Sequence, residues 1–460
     1  MWFEHLTTDV LNRLTKRRPT GAVPGLALGR LVEPPHAPVV LSDRHRCEHA
    51  VILGKTGSGK THLLEVMALE LAKRREGFAL IDFHGDVSLS LIARLALVDA
   101  ERLVILDPSH PTLSPALNVL EAHGGEAERF RKVSELSSIL RQRWGVDSFG
   151  ARTEELLRNS LYTLAAGGLT LADLPRLLTD TAFRTDQTDG LDHIDIRAYW
   201  RDRYEPLSEA MKAAFREPLL NRVTGFLTEP AARHLLGQRH STIDINEVIA
   251  RRQWLIVRLP KGRLREHAHT LGNLIFAQLQ FAALSRESLP QAQRHTFTML
   301  CDEAQNLAEN DLGTLLTEGR KFGISLITAN QFWEQLPREL RGALLSANTL
   351  ICFRLSSADA SVLAGELSLK RRSHLAVELT ALTRGEAVGT FGPGGVSHFR
   401  VPPLPTAVPV AAEYFTHLLA PVTRPRTEVE AAMRHRPAPR VAPAVRIAGT
   451  TPAEEGHDGW

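Results

Sequence analysis

The sequence predicts an α/β protein with a mostly parallel central sheet, flanked by helices and interrupted by an inserted all-α segment. Short apolar runs recur along the chain, and each is followed by acidic, amide or glycine residues, as expected where parallel strands end. Segments with the apolar spacing of helices separate these runs. Between about residues 123 and 240 the strand pattern stops and only helical patterns remain. This alternation favours a doubly wound arrangement.

Bulk properties narrow the class of protein. The 460 residues are 43% hydrophobic and 23% charged, and they allow two or three domains. A net charge of +3 means that any nucleic-acid surface must come from local clusters. Three cysteines without metal-ligand spacing suit a reducing compartment. No stretch reaches the roughly 18 apolar residues of a membrane helix, and residues 1–18 do not read as a signal peptide. We therefore expect a cytoplasmic protein with no integral membrane segment.

The first chemical motif is a glycine-rich loop. Residues 54–61 read Gly-Lys-Thr-Gly-Ser-Gly-Lys-Thr, follow an apolar run and precede a helical pattern, which fits G-x-x-x-x-G-K-[ST]. In such a loop the backbone N–H groups and the helix N-terminus surround a phosphate. Lys60 would reach the β- and γ-phosphates, and the Thr61 hydroxyl would ligand Mg²⁺. The alternative is a glycine-rich turn that matches by chance. The predicted nucleotide-binding residues are Gly54, Thr56, Gly57, Ser58, Gly59, Lys60 and Thr61.

Two further apolar runs, at 77–83 and 103–106, end in acidic residues. These are Asp82 and Asp86 after the first run and Asp107 after the second. They could cap turns or face the nucleotide, and capping is favoured because such acids commonly bind their own turn.

The middle of the chain predicts helices at 128–143, 153–166, 171–178 and 201–227. The first of them is basic and is followed by an aromatic residue. A charge set of this kind is usually a solvated helix face, and nucleic-acid contact is the alternative. Its members are Arg129, Arg131, Lys132, Arg141, Arg143 and Trp144.

The strand pattern returns at 253–260 and again at 296–304, where the apolar run ends in Asp302 and Glu303. A Walker B strand requires this arrangement downstream of a phosphate-binding loop. Asp302 would hold Mg²⁺ directly or through water, and Glu303 would orient and deprotonate the attacking water.

Two later strands carry polar residues of interest. The run at 324–329 ends in Asn330 and Gln331, and Gln331 is either a γ-phosphate sensor or a strand-end turn residue. The run at 350–355 contains Arg354, which could form a structural ion pair or act as an arginine finger on a neighbouring subunit.

Several of these pieces together resemble the HerA/FtsK superfamily of DNA-pumping ATPases. Within it they are most similar to the conjugative coupling proteins of the TraG/TraD/TrwB type, over roughly residues 40–400. The resemblance depends on the loop at 54–61, the segments at 81–86, 114–120 and 318–323, the acidic pair Asp302–Glu303, and Gln331. It extends to the helical insertion and to residues 243–246, which lead into 259–262. This chain differs in lacking N-terminal transmembrane helices, and in having Asp82-Phe83-His84-Gly85 where Asp-Pro-His-Gly is frequent.

The resemblance implies a RecA-like P-loop NTPase domain that uses ATP and Mg²⁺. It also implies a hexameric ring with sites between subunits and DNA through the centre. Lys60, Glu303 and Gln331 would be catalytic, and Arg320 or Arg354 would come from the next protomer. Expected partners are DNA and type IV secretion or relaxosome proteins, which could place the protein at the membrane periphery. The function implied is an ATP-dependent DNA translocase; the alternatives are a recruiter whose all-α domain docks protein cargo, and an ATPase switch without translocation.

We divide the chain into five parts on these grounds. The parts are an N-terminal arm or small β element (1–47), the nucleotide-binding domain in two pieces (48–122 and 246–403), the inserted all-α domain (123–245), and a tail (404–460). The tail is rich in Pro, Ala and Arg and lacks core periodicity, so we expect it to be disordered apart from a short helix near 427–436.

Overall fold

A computed structural model describes residues 24–144, 150–307, 309–334, 336–392, 395–406 and 410–434. Its strands are β1 (Gly25–Leu31), β2 (Pro38–Ser42), β3 (Ala50–Leu53), β4 (Phe78–Asp82), β5 (Leu103–Leu106), β6 (Leu113–Ser114), β7 (Trp254–Arg258), β8 (Phe297–Asp302), β9 (Ile324–Asn330), β10 (Thr349–Cys352), β11 (Glu386–Phe391), β12 (Val396–Arg400) and β13 (Arg424–Pro425).

The helices of the described residues fall into three groups. Those before the insertion are α1 (Asp43–Arg46), α2 (Lys60–Lys73) and α3 (Asp86–Asp99). The insertion contains α4 (Glu126–Trp144), α5 (Ala151–Ala166), α6 (Leu174–Thr179), α7 (Thr181–Asp189), α8 (Ile194–Ala198), α9 (Glu209–Leu227), α10 (Pro230–Leu236) and α11 (Ile245–Ala250). After it come α12 (Lys261–Leu264), α13 (His267–Ser285), α14 (Glu309–Glu318), α15 (Arg338–Leu345), α16 (Ser357–Leu367), α17 (Arg372–Ala381), α18 (Ala412–Leu419) and α19 (Arg426–Arg434).

One large sheet organises the described part of the chain. Its order is β2-β1-β12-β11-β10-β3-β9-β8-β4-β7-β5. The run from β10 to β5 is parallel, and β11, β12, β1 and β2 extend it as an antiparallel edge. The predicted fold class, a mostly parallel sheet with flanking helices, is therefore confirmed. The carboxyl ends of β3, β9 and β8 lie side by side, which brings the glycine-rich loop and the acidic pair to one edge.

The strands read as continuous apolar runs because both faces of the sheet are covered. Along β3, Ala50 and Ile52 pack into one apolar cluster, and Val51 and Leu53 pack into the other. All four are buried. A period of two along the strand sends neighbouring side chains to opposite faces, so burial on both faces removes the polar alternation.

The inserted helices share their core with one face of the sheet. Leu156, Leu157 and Leu161 of α5 belong to the same apolar cluster as Val51 and Leu53 of β3. The helix expected at 201–227 is interrupted. A π-helical segment at Tyr199–Tyr204 comes first, and α9 begins after Ser208, whose side chain accepts a hydrogen bond from the Met211 N–H. This N-cap satisfies a free donor of the first turn and fixes the start of α9.

The expectation of a disordered tail is wrong for the residues described between 410 and 434. Leu418 and Leu419 of α18 are buried, and Val429 of α19 is also buried. Strand β13 pairs with β6, with Arg424 opposite Ser114. A few well-placed apolar residues give these short helices a buried face, which a composition rich in Pro, Ala and Arg does not reveal. The predicted helix at 427–436 corresponds to α19, and residues 1–23 and 435–460 lie outside the described part.

Among the described residues, no helix combines the length and apolar character needed to span a membrane.

Candidate nucleotide-binding site

The glycine-rich loop between β3 and α2 is built by positive φ angles and held by its neighbours. Gly57 has φ 74° and Gly59 has φ 122°. Side-chain-bearing residues rarely adopt these angles, so the loop requires glycine at both positions. Backbone hydrogen bonds fix it from two sides: the Lys55 N–H donates to the Arg354 carbonyl at 2.8 Å, and the Gly385 N–H donates to the Ser58 carbonyl at 2.9 Å.

Lys60 lies inside this loop. Its Nζ donates to the Gly54 carbonyl at 2.6 Å and to the Lys55 carbonyl at 3.2 Å, and burial lowers its pKa. The hydroxyl of Ser58 is buried and has no hydrogen-bond partner among the described residues. A buried ammonium and an unpartnered hydroxyl beside a helix N-terminus fit a bound phosphate group.

Thr61 and Asp302, the two residues predicted to hold the metal, meet across the sheet edge. The Thr61 Oγ1 donates to Asp302 Oδ2 at 3.1 Å. Burial raises the pKa of Asp302 to about 6, and the nearby Asp82 adds to the shift. A hydroxyl and a carboxylate are oxygen ligands of the kind that Mg²⁺ uses together with nucleotide phosphates, so this pair fits the metal predicted for it.

Glu303 follows β8 in a strained backbone conformation with φ 52°. Its carboxylate pairs with Lys261 Nζ at 2.8 Å and with His84 Nε2 at 2.8 Å. The Asn306 amide also donates to it, at 3.2 Å. Burial works to raise its pKa, but Lys261 and His84 outweigh that effect and hold it at about 2. Held in this way, the carboxylate is a weak proton acceptor, and loss of the Lys261 contact would make it a stronger one.

Gln331 connects the loop to the acidic pair. Its Oε1 accepts from the Thr56 hydroxyl at 3.0 Å, and its Nε2 donates to Glu303 Oε1 at 2.5 Å. The amide therefore lies between the phosphate loop and the acidic pair, where a γ-phosphate would compete for both contacts.

The two candidate arginines lie at opposite edges of the sheet. Arg320 precedes β9 and pairs with Glu48, which precedes β3, at 3.0 Å. The seven residues of β9 put it roughly 20 Å from its own loop, at about 3.3 Å per residue. Arg354 is exposed beside its own loop, and no ion pair to it is formed within the described residues. The structural ion pair considered for Arg354 is therefore not present there.

The open alternatives for Asp82 and Asp107 are resolved towards structural contacts. Asp82 accepts hydrogen bonds from the backbone of His84, Gly85 and Ser88, and Asp107 accepts from Ser109 and pairs with Arg258. Both acids therefore hold turns.

The basic residues of α4 also make contacts within the chain. Arg131 and Lys132 lie over the Phe281 ring, Arg129 lies over the Tyr162 ring, and Arg141 pairs with Glu154 at 2.7 Å. The side chains of Arg143 and Trp144 are outside the described set.

Sequence reasoning missed several residues at this site. A cleft of about 480 Å³ beside the loop is lined by Lys60, Thr61, Glu65 and Arg384, among others. Arg384 is exposed, and its side chain has no partner within the part of the chain that the structure describes. Sequence spacing gives no signal for Arg384, because it comes from the turn before β11. Lys261 and His84 lie in recognised motif segments, but only folding reveals their contact with Glu303.

Comparison with known proteins agrees with the motifs. Residues 26–130 match the family model described as helicase HerA, central domain. The type 4 coupling protein DotL of Legionella pneumophila is 23% identical over 369 residues, which cover 67% of this chain and 47% of DotL. The chain thus spans about half the length of this curated relative.

Solved structures share the fold. The bacterial conjugative coupling protein TrwB, without its first 70 residues, has a TM-score of 0.55 at 16% identity, covering 85% of this chain and 91% of TrwB. TrwB in complex with ADP and Mg²⁺ gives the same TM-score and covers 87% of this chain and 93% of its own. VirB4 of Thermoanaerobacter pseudethanolicus has a TM-score of 0.50 at 12% identity, over 85% of this chain and 99% of VirB4. These similarities agree with the resemblance predicted from the motifs, and the RecA-like P-loop fold that it implies is confirmed.

Proposed function

We propose that this chain is a motor subunit that hydrolyses ATP with Mg²⁺ and uses the energy to move DNA. The observation that carries the proposal is the single edge at which Lys60, the Thr61–Asp302 pair and the Glu303–Gln331–Thr56 chain meet. The relatives add to it, because TrwB has been solved with ADP and Mg²⁺ and with non-hydrolysable ATP and GTP analogues.

The residues suggest a division of labour. Lys60 and the loop amides hold the β- and γ-phosphates, and Thr61 and Asp302 hold the metal. Bound Mg²⁺ would neutralise charge that develops on the phosphate oxygens. Glu303 orients the attacking water and accepts its proton once Lys261 and His84 release the carboxylate. Gln331 reports whether the γ-phosphate is present, because a phosphate oxygen would accept from the Gln331 amide N–H and draw it away from Glu303.

An arginine from the next subunit would complete the site in a ring. Arg320 is the stronger candidate, because it lies at the sheet edge opposite its own loop and is exposed towards solvent. Its exposed guanidinium could reach the γ-phosphate of a neighbouring subunit. Arg354 lies beside its own loop, a position suited to a role within the subunit.

The relatives support a proposal for the substrate that is moved and for the partner complex. Type 4 coupling and conjugative coupling proteins are the similar proteins, so we propose DNA as the load and a type IV secretion or relaxosome complex as the partner. A homo-hexameric ring is the assembly that fits sites shared between subunits.

Measuring ATP hydrolysis by the purified protein with and without single- and double-stranded DNA tests the motor. We expect DNA to stimulate hydrolysis, and we expect movement of a labelled duplex or strand that requires ATP. If neither form of DNA changes the rate of hydrolysis, the motor hypothesis is refuted and the hypothesis of an ATPase switch without translocation is favoured.

The recruiter alternative is favoured by one feature of the insertion. A cleft of about 540 Å³ lies between its helices, with Phe130, Tyr162 and Tyr199 in its wall. Phe130 is 48% exposed. Aromatic clefts of this size suit an apolar side chain of a bound peptide. Loss of cargo binding in Phe130→Ala, with DNA-stimulated hydrolysis retained, would assign cargo docking to this cleft.

A further inference from the structure

The nucleotide cleft contains a buried carboxylate that none of the roles above employs. Glu65 lies on α2, five residues after Lys60, and lines the same cleft. Its side chain is 11% exposed. At 1.5 Å per residue it lies about 7 Å further along the helix than the phosphate lysine.

The carboxylate is held through one of its two oxygens. Ser90 Oγ donates to Glu65 Oε2 at 2.6 Å, and Arg94 donates to the same oxygen at 3.3 Å. Within the described residues no donor reaches Oε1. Arg94 is itself anchored, because its Nε donates to the Pro405 carbonyl at 2.9 Å. Glu65 therefore has a fixed rotamer and a free acceptor, and burial raises its pKa.

The rest of the cleft fits the sugar end of a nucleotide. Val401 gives it an apolar wall, and the turn at Arg384 and Gly385 closes it against the loop. A Cβ on Gly59 would lie only 3.3 Å from the Gly385 Cα, so this turn is packed closely on the phosphate loop. A ligand whose phosphates occupy the loop would extend past Thr61 towards Glu65 and Val401.

We propose that Glu65 accepts hydrogen bonds from the ribose hydroxyls of the bound nucleotide and so selects ribonucleotides over deoxynucleotides. This inference rests on the proposed function, and it specifies that the nucleotide is a ribonucleotide. Carboxylates recognise ribose diols in dinucleotide-binding folds by the same chemistry, since each hydroxyl donates a hydrogen bond to the charged acceptor. A motor that works on DNA in a cell also meets deoxynucleotides, and this carboxylate would keep them out of the site.

Calorimetric titration of the full chain with ADP, 2′-deoxyADP and 3′-deoxyADP tests the proposal without any turnover. We expect the protein to bind ADP about tenfold or more tightly than at least one deoxy analogue, the effect of losing one hydrogen bond to a charged acceptor. In Glu65→Gln this ratio should fall to about twofold, because a neutral amide oxygen is a weaker acceptor.

Two comparisons make the outcome decisive. Glu70→Gln, the same change on the same helix but outside the cleft, should keep the wild-type ratio. A structural role for Glu65 would weaken all three nucleotides together and leave the ratio unchanged, which would overturn the proposal. Equal affinity of the wild type for the three would also overturn it and leave the proposed function intact, whereas no binding of ADP at all would refute both.

Discussion

At the scale of single residues, the most informative feature is how firmly Glu303 is held. Four side chains contact its carboxylate: Lys261, His84, Asn306 and Gln331. The partner lysine and histidine keep the pKa of Glu303 low, so its ability to take a proton depends on releasing them. In the proposed mechanism, this arrangement would link water activation to the positions of neighbouring side chains.

Glu303→Gln should bind ATP with near-normal affinity. Its rate of hydrolysis should fall by about a hundredfold or more, because the amide cannot accept the proton of water. Binding survives because the loop holds the phosphates through Lys60 and backbone amides. Titration with a non-hydrolysable ATP analogue and a phosphate-release assay measure the two effects. Glu366→Gln, an exposed change near the end of α16, serves as the control, and near-normal hydrolysis by Glu303→Gln would remove Glu303 from this role.

Arg384→Ala should weaken ADP binding about tenfold, since it removes an unpaired cation from the cleft that contains Lys60. Arg384→Lys should restore part of the loss if charge alone matters. Arg338→Ala removes an exposed arginine at the start of α15 and should change nothing. Unchanged binding in Arg384→Ala would show that its guanidinium does not contact the nucleotide.

His49 predicts a pH dependence of stability. Burial is the main cause that lowers its pKa from 6.5 to about 4, and Arg320 adds to it. Its Nδ1 accepts a hydrogen bond from the Leu326 N–H. The unfolded chain therefore binds a proton between pH 6.5 and 4 that the folded chain does not. The stability is complete above pH 6.5 and falls by about 3 kcal/mol as the pH approaches 4.

Denaturant unfolding at several pH values, compared between the wild type and His49→Asn, isolates this contribution. Asn tolerates the positive φ of 66° at this position and keeps an acceptor for Leu326. We expect a smaller loss of stability between pH 6.5 and 4 in the variant. An identical pH profile in the two proteins would contradict the assignment to His49.

At the scale of elements, the segment after β12 is the part that sequence reasoning interpreted wrongly. Helix α18 buries Leu418 and Leu419 and packs against β5, while β13 pairs with β6 and leads into α19. The Arg426 guanidinium also donates to the Pro108 carbonyl at 2.8 Å. The chain therefore returns from the antiparallel edge of the sheet to its far parallel edge.

Leu419→Ala should lower the free energy of unfolding by about 2–4 kcal/mol, the usual cost of removing a fully buried leucine side chain. Leu369→Ala is the matched control, because Leu369 is 82% exposed and should cost little. Thermal or denaturant unfolding measures both changes. Equal stabilities of the two variants would mean that α18 contributes no packing to the fold.

At the scale of the whole molecule, the two edges of the sheet carry different groups of functional candidates. The carboxyl edge carries the loop, the acidic pair and Gln331, and the amino edge carries Arg320 with Glu48. A ring in which the amino edge of one subunit faces the carboxyl edge of the next would join these parts into complete sites.

Mixing two inactive variants tests this sharing. Arg320→Ala lacks the donated arginine but keeps its own loop, and Lys60→Ala lacks the loop lysine but keeps Arg320. If Arg320 acts on the neighbouring subunit, a site is complete only where an Arg320→Ala subunit supplies the loop and a Lys60→Ala subunit supplies the arginine. Random assembly of a 1:1 mixture into rings should therefore restore hydrolysis at about a quarter of the sites. Glu48 keeps a hydrogen bond from Asn348 in Arg320→Ala, so its surroundings stay satisfied.

The same mixture made with Arg354→Ala in place of Arg320→Ala separates the two candidates. Restored hydrolysis with only one of the arginine variants identifies the residue that acts between subunits. If neither mixture regains hydrolysis, no arginine of this pair is shared.

The sequence by itself determined the parts that depend on local pattern. The loop at 54–61, the strand ending at Asp302 and Glu303, and the parallel sheet were all predictable, because backbone conformation and strand burial require particular residues at fixed spacing. Asp302 and Thr61 could be paired in advance, since parallel strands place their carboxyl ends at one edge.

Only the tertiary structure decided which distant side chains meet. Lys261 and His84 contact Glu303, Arg384 and Glu65 line the nucleotide cleft, and the residues after 410 pack on β5 and α10. These contacts join residues from 42 to more than 300 positions apart. Their existence depends on strand order and helix placement, which spacing along one chain does not encode.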